Sequence, residues 1–120
     1  MLVKFEIIFY KDEKDNSPVE KFLLGLVTTN KELFNKTSKG IDKLRHRIYH
    51  KEPLSKHIES GLWELRIKAD NDILRIFYTF EKGQIIILLH VFIKKQQKTP
   101  VGELEIARKR LREIKMRRLQ

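Results

Sequence analysis

A chain of 120 residues with no cysteine excludes a disulfide-stapled fold and a thiolate metal centre. With 41% hydrophobic and 35% charged residues it is too apolar for a disordered polymer, and its longest apolar run, Ile85–Leu89 and then Val91–Ile93 after His90, is too short to cross a bilayer as a helix. Lys and Arg outnumber Asp and Glu by 26 to 16, a net +10, and Lys94–Gln120 alone carries 10 bases against 3 acids, a block that meets polyphosphate or an acidic partner unless it is only a solvated helix face.

Met1-Leu2-Val3-Lys4 begins no signal peptide, so a cytoplasmic protein without membrane contact is expected, as one domain over residues 1–120. Val3–Phe9 reads as a first strand, ended by the polar stretch Lys11–Asn16. Ser17-Pro18-Val19-Glu20 has the spacing of a capping box with proline in the first turn, and Val19, Phe22, Leu23, Leu26 and Val27 form one helical stripe. Thr29-Asn30-Lys31-Glu32 repeats that spacing and opens a second helix to about His50, striped by Phe34, Ile41, Leu44 and Ile48, with Gly40 weakening it by about 1 kcal/mol relative to alanine. Three strands follow, about Leu62–Lys68, Ile73–Glu81 and Ile85–Ile93, joined by turns at Asp70-Asn71 and Lys82-Gly83. Thr99-Pro100 starts a last helix buried through Leu104, Ala107, Leu111 and Ile114. The order β-α-α-β-β-β-α predicts an α+β fold, a mostly antiparallel sheet packed against a helical hairpin, plus a C-terminal helix.

Strand parity locates the polar residues. A turn at Asp70-Asn71 sets Trp63 opposite Tyr78, Leu65 opposite Ile76 and Ile67 opposite Leu74, so apolar meets apolar, and Arg66 falls opposite Arg75. A turn at Lys82-Gly83 then sets His90 opposite Arg75, giving a row Arg66–Arg75–His90 on the face away from the main apolar side, with Lys94, Lys95 and Lys98 near the same edge. Like charges placed opposite one another cost about 0.2–1 kcal/mol. Either Glu64 neutralises one arginine and the other faces water, or the row meets phosphate. In the second case Arg66, Arg75 and the lysines hold phosphate oxygens, Lys68 joins them, Phe77 and Phe92 stack bases, and His90 moves a proton. Both arginines project from the non-core face, so truncating either is expected to open no cavity.

Other constellations carry less. His46 and His50 have i, i+4 spacing, but Arg45 and Arg47 flank the first and no HExxH completes it, so no metal is expected. No glycine-rich phosphate loop or GxSxG occurs. Arg108 and its neighbours on the last helix are either an RNA-facing surface or a solvated face.

Gly61-Leu62-Trp63-Glu64-Leu65-Arg66, Arg75-Ile76-Phe77-Tyr78, Leu88-Leu89-His90-Val91-Phe92-Ile93-Lys94-Lys95 and Lys98-Thr99-Pro100 together resemble the phage-derived, HigB-like branch of the RelE/ParE toxin superfamily. The resemblance spans nearly the whole chain and implies the RelE-like fold. It also implies a type II toxin that cleaves messenger RNA on the translating ribosome without cofactor or metal. By the same resemblance, the ribose 2′-OH attacks the adjacent phosphate, leaving a 2′,3′-cyclic phosphate and a 5′-OH. Arg75 then matches the family arginine, Arg66 the arginine of the preceding strand, and Lys94 or Lys95 the basic residue after the last strand. The C-terminal tyrosine or Asp-Tyr-His cluster of other members is absent, which leaves proton transfer to a lysine, to His90 or to ribosomal RNA. The implied partners are the ribosome, its message and a HigA-like helix-turn-helix antitoxin, through which operator DNA is reached indirectly. The antitoxin is expected on the helical layer between Val19 and Ile48 or at its edge, without plugging the basic row. The alternative within the same fold is a ParE-like inhibitor of DNA gyrase without nuclease activity.

Overall fold

The computed structural model describes residues 4–95 and 100–118. Strand β1 (Glu6–Phe9) is followed by helices α1 (Pro18–Thr29) and α2 (Lys31–Lys43), strands β2 (Ser55–Glu59), β3 (Leu62–Ala69), β4 (Asp72–Glu81) and β5 (Ile85–Lys94), and helix α3 (Val101–Arg118). The five strands form one sheet in the order β1-β5-β4-β3-β2, antiparallel except for the parallel pair β1–β5. The α+β architecture is therefore the one expected, with one more edge strand, β2. Its sequence Ser-Lys-His-Ile-Glu lacks a β-rich run, and only its pairing with β3 makes it a strand. No helix among the described residues is long and apolar enough to cross a membrane.

Each face of the sheet is covered by a different element. Leu65, Ile67, Leu74, Ile76, Tyr78, Ile86, Leu88 and Val91 pack against Val19, Leu23, Leu26, Leu33 and Leu44 of the helical hairpin and its C-terminal extension. On the opposite face, Leu62, Phe77, Leu89 and Phe92 join Tyr10 and the α3 residues Ala107, Leu111 and Ile114 in a second core. The stripe read for α3 is thus the buried one.

Several local expectations change. Pro18 does open α1, but the Ser17 side chain makes no cap bond. For α2 the cap is Asn30, whose Oδ1 accepts from the Leu33 N–H at 3.1 Å. The helix stops at Lys43 and a short 3-10 turn follows at Arg47–Tyr49. Leu33, Thr37 and Gly40 are the buried positions of the helix, Phe34 and Ile41 pack at the core's margin, Leu44 is buried just beyond the helix, and only Ile48 of the expected stripe is exposed. Gly40 is there for proximity: a Cβ at that position would lie 2.3 Å from Ile67 Cδ1 on β3.

The largest correction concerns β5. The β3–β4 register is as read, with Arg66 opposite Arg75. Between β4 and β5 the turn spans three residues, Lys82 to Gln84, with Gly83 and Gln84 at φ 84° and 59°. A bulge then leaves Leu89 without a partner, since Tyr78 pairs with Leu88 and Phe77 with His90. Arg75 therefore faces Phe92, and His90 is not in the arginine row. A continuous apolar run looks alike on both faces and carries no alternation to set its own register.

The close approach at Gly40 predicts a coupling. Gly40→Ala in an Ile67→Val background, which lacks Cδ1, should gain about 1 kcal/mol of helix propensity. In the wild-type background the gain should shrink or reverse, leaving an interaction of at least about 0.5 kcal/mol in a urea-denaturation double-mutant cycle. Additive effects would show that the helix and sheet are not in contact there.

Candidate functional site

Glu64 is the pivot of the polar surface. Strand parity turns it to the α3 side of the sheet, where it is 2% exposed. Its Oε1 accepts from Arg75 Nη1 at 2.7 Å and from Arg66 Nε at 3.1 Å, so one buried carboxylate joins two arginines that stand opposite each other on adjacent strands. Arg66 also reaches Glu52 through Nη1 at 3.3 Å. The cross-strand repulsion inferred for the bare pair is therefore a bridge, and Glu64 reaches both arginines rather than one. Arg75 is itself buried, and its Nε–H has no partner among the described residues.

Further cations gather on this face. Lys56 lies opposite Glu64, Lys68 follows Arg66 by two residues, and Lys94 lies opposite Ile73 at the end of β5. Lys94 is half-buried, and desolvation followed by the charge of Arg75 pushes its ammonium below the ordinary lysine range, with Glu64 opposing. Lys95 is exposed, and Lys98 lies outside the described residues. The expected members Arg66, Arg75, Lys68 and Lys94 thus share one region. Lys56 escaped the sequence reading because its strand did.

The remaining candidates are placed elsewhere. Phe77 is fully buried and Phe92 nearly so, ring against ring at 5.5 Å in the second core, and a buried ring offers a base no face. His90 sits under α3, with Nε2 3.1 Å from Glu103 Oε2, Nδ1 3.3 Å from Arg110 Nη1, and its ring stacked on Phe92. It pins the sheet to α3 and does not face the arginines. Arg108 is held by Glu59 through two bonds of 2.7 and 2.9 Å, and also by Glu105, so its charge is matched within the fold and ties α3 to β2. His50 is likewise structural, packed between Phe5 and Phe80 with Nε2 2.6 Å from the Leu44 carbonyl oxygen.

Tyr10 is a residue the sequence did not single out. It donates to Glu113, its ring lies beneath Arg110 and Arg117, and burial together with Glu113 raises its phenol above the ordinary range. On the other side of the sheet, Tyr78 is hydrogen-bonded to Ser55 and burial pushes its phenol up to about 12. Both act as struts.

Two outcomes follow from this geometry. Arg75→Ala should lower stability by about 3 kcal/mol, because it strips a partner from a buried carboxylate. Arg75→Ala combined with Glu64→Leu should recover part of that loss in urea denaturation; equal stability of Arg75→Ala and wild type would mean the bridge carries nothing. His90 has its pKa lowered, chiefly by burial and further by Arg110, against Glu103. The unfolded chain therefore binds the proton more readily, so the histidine's contribution is complete above about pH 6.5 and is lost as pH falls through that value towards the folded pKa. His90→Gln should flatten the fall in urea midpoint between pH 7 and 5; an unchanged slope would assign it to other groups.

No curated protein matches the chain. The family model described as phage derived protein Gp49-like matches residues 25–112, well over half of the chain, and runs from α1 through most of α3. That span includes the buried bridge, β5 and the cations around them. The chain belongs to the phage-derived Gp49-like family, which belongs with the HigB-like toxins of the RelE/ParE superfamily.

Proposed function

We propose that this protein is the toxin of a type II toxin–antitoxin pair and cuts messenger RNA on the translating ribosome. The observation that carries the reading is the group of Arg66, Arg75, Lys94, Lys68 and Lys56 around the single buried carboxylate of Glu64. Family membership supplies the toxin class. The cluster supplies what phosphoryl transfer needs, fixed cationic groups where negative charge develops on phosphorus oxygens. Glu64 lets two guanidiniums stay close when no anion is present, and the incoming phosphate then meets donors that need little rearrangement.

In the proposed step the ribose 2′ oxygen bonds to phosphorus and the P–O5′ bond breaks. Arg66 and Arg75 hold the non-bridging oxygens. Lys94, whose ammonium is destabilised by burial and by Arg75, takes the 2′ proton in its amine form. The 5′ oxygen leaves as a hydroxyl with a proton from solvent, and the upstream fragment ends in a 2′,3′-cyclic phosphate. Lys95, exposed and farther along the chain, is secondary to Lys94.

The antitoxin, proposed as a HigA-like helix-turn-helix protein, docks on the helical layer. There Leu24 and Val27 of α1 are 61% and 41% exposed on the side of the molecule away from α3. This placement leaves the cation cluster open.

Brief induction followed by mapping of RNA 5′ ends should reveal cuts within translated codons. In a purified ribosome system Lys94→Met should slow cleavage by about 100- to 1000-fold, while Lys95→Met should matter far less. Intact messages with arrested DNA replication would favour gyrase inhibition, and a fully active Lys94→Met protein would remove Lys94 from the chemistry.

A further inference from the structure

We infer that the cleft at the open edge of β3 receives one unpaired nucleobase of the bound RNA, with Tyr49 as its stacking platform. The identity of the strand rests on the nuclease reading above; the shape of the site does not. Strand β2 covers β3 only as far as the pair Ser55–Leu65, and the Arg66 N–H donates to the Leu54 carbonyl oxygen at 2.8 Å just beyond that pair. Beyond it the β3 edge has no strand neighbour, because β3 is the inner partner of a shorter edge strand. The gap is a cleft of about 470 Å³, within the ~300–1,000 Å³ of small-molecule sites.

Its lining has two parts. Tyr49, Pro53, Leu54 and Ile73 supply apolar surface, while Arg66, Arg75 and Lys68 bring the cluster's cations to the same cleft. A nucleotide has this division, a flat apolar base joined through ribose to an anionic phosphate. Tyr49 is 38% exposed and belongs to neither core, so burial of its ring does not explain its presence. It is nonetheless held in place: the 3-10 turn Arg47–Tyr49 fixes the backbone, and Lys43 Nζ lies over the ring 5.5 Å from its centroid. An aromatic ring held at the surface beside phosphate-binding cations is the usual construction for binding single-stranded nucleic acid.

A 2′-O-methyl RNA oligonucleotide, which lacks the attacking hydroxyl, tests the site by fluorescence anisotropy at low salt, with no ribosome present. Wild-type protein, Tyr49→Phe and Tyr49→Ala are titrated against the intact strand and against strands with one abasic position moved along their length. Tyr49→Ala should weaken binding to the intact strand by about 5- to 150-fold, and Tyr49→Phe should keep it. At one abasic position the wild type should lose a similar factor, and there Tyr49→Ala should cost nothing more. Equal losses on every strand, failure of phenylalanine to substitute, or no binding of the intact strand by wild type would each overturn the inference. Cleavage is scored separately on ribosomes: its absence beside a positive cycle removes the nuclease reading alone, and its presence beside a negative cycle removes only the base site.

Discussion

The carboxylate of Glu64 is the contact on which the polar surface depends. A glutamate 2% exposed in the middle of a strand would be strongly unfavourable alone, and a buried arginine beside it equally so. Together they are tolerable because each answers the other's desolvation, and Arg66 adds a third group from the same strand. Such a bridge contributes little net stability compared with an apolar replacement, whereas breaking it is costly. What it secures is position: two guanidiniums on adjacent strands are held by one oxygen atom, at a separation their own charges would oppose.

Arg66 of that bridge keeps a partly exposed side chain because α3 covers only part of its face of the sheet. The bulge at Leu89 turns both Leu89 and Phe92 towards α3, where they pack with Phe77, Leu62 and the helix residues Ala107, Leu111 and Ile114. His90 joins the helix through Glu103 and Arg110 at the same place. The second core is thus built from the β5 side. Towards β3 it gives way to charged residues, with Glu64, Arg66 and Lys68 following Leu62 on the same face. The division between closed core and polar cleft follows from one extra residue in β5 and one short edge strand.

These features divide the legible from the illegible. From Trp63 to Ala69 strand β3 alternates strictly between apolar and charged residues, so its parity, its register with β4 and the meeting of Arg66 with Arg75 could be read directly. The helices announced themselves by Pro18, by Asn30 near the second start and by the spacing of Leu104, Ala107, Leu111 and Ile114. Ile85–Leu89 has no alternation, so its bulge was hidden, and with it the partner of His90. Phe77 and Phe92 were placed on the correct face, but that face was read as non-core, whereas α3 packs on it and makes it a second core. Lys56 and Tyr49 lie on a weak strand and in a turn, where local pattern carries no signal and tertiary pairing decides. Most of the family motifs, by contrast, were visible because Leu62–Arg66, Arg75–Tyr78 and Leu88–Lys94 are contiguous residues of β3, β4 and β5.

Net charge and available charge are different quantities in this molecule. The C-terminal stretch holds much of the formal +10, yet several of those bases are engaged in contacts within the fold. Arg108 is matched by Glu59 and Glu105, Arg110 donates to the Leu89 carbonyl oxygen at 2.8 Å and covers Tyr10, and Arg117 donates to the Lys11 carbonyl oxygen at 2.8 Å over the same ring. The basic helix therefore uses these side chains as fasteners that hold α3 to the sheet and to the segment after β1. Around Glu64 the count runs the other way: Arg66, Arg75, Lys56, Lys68 and Lys94 surround a carboxylate that two guanidiniums already share, with Glu52 at the edge. Long-range attraction comes from the whole charge, whereas the cluster at the β3–β4 end of the sheet is collected by strand pairing rather than by charge density in the sequence.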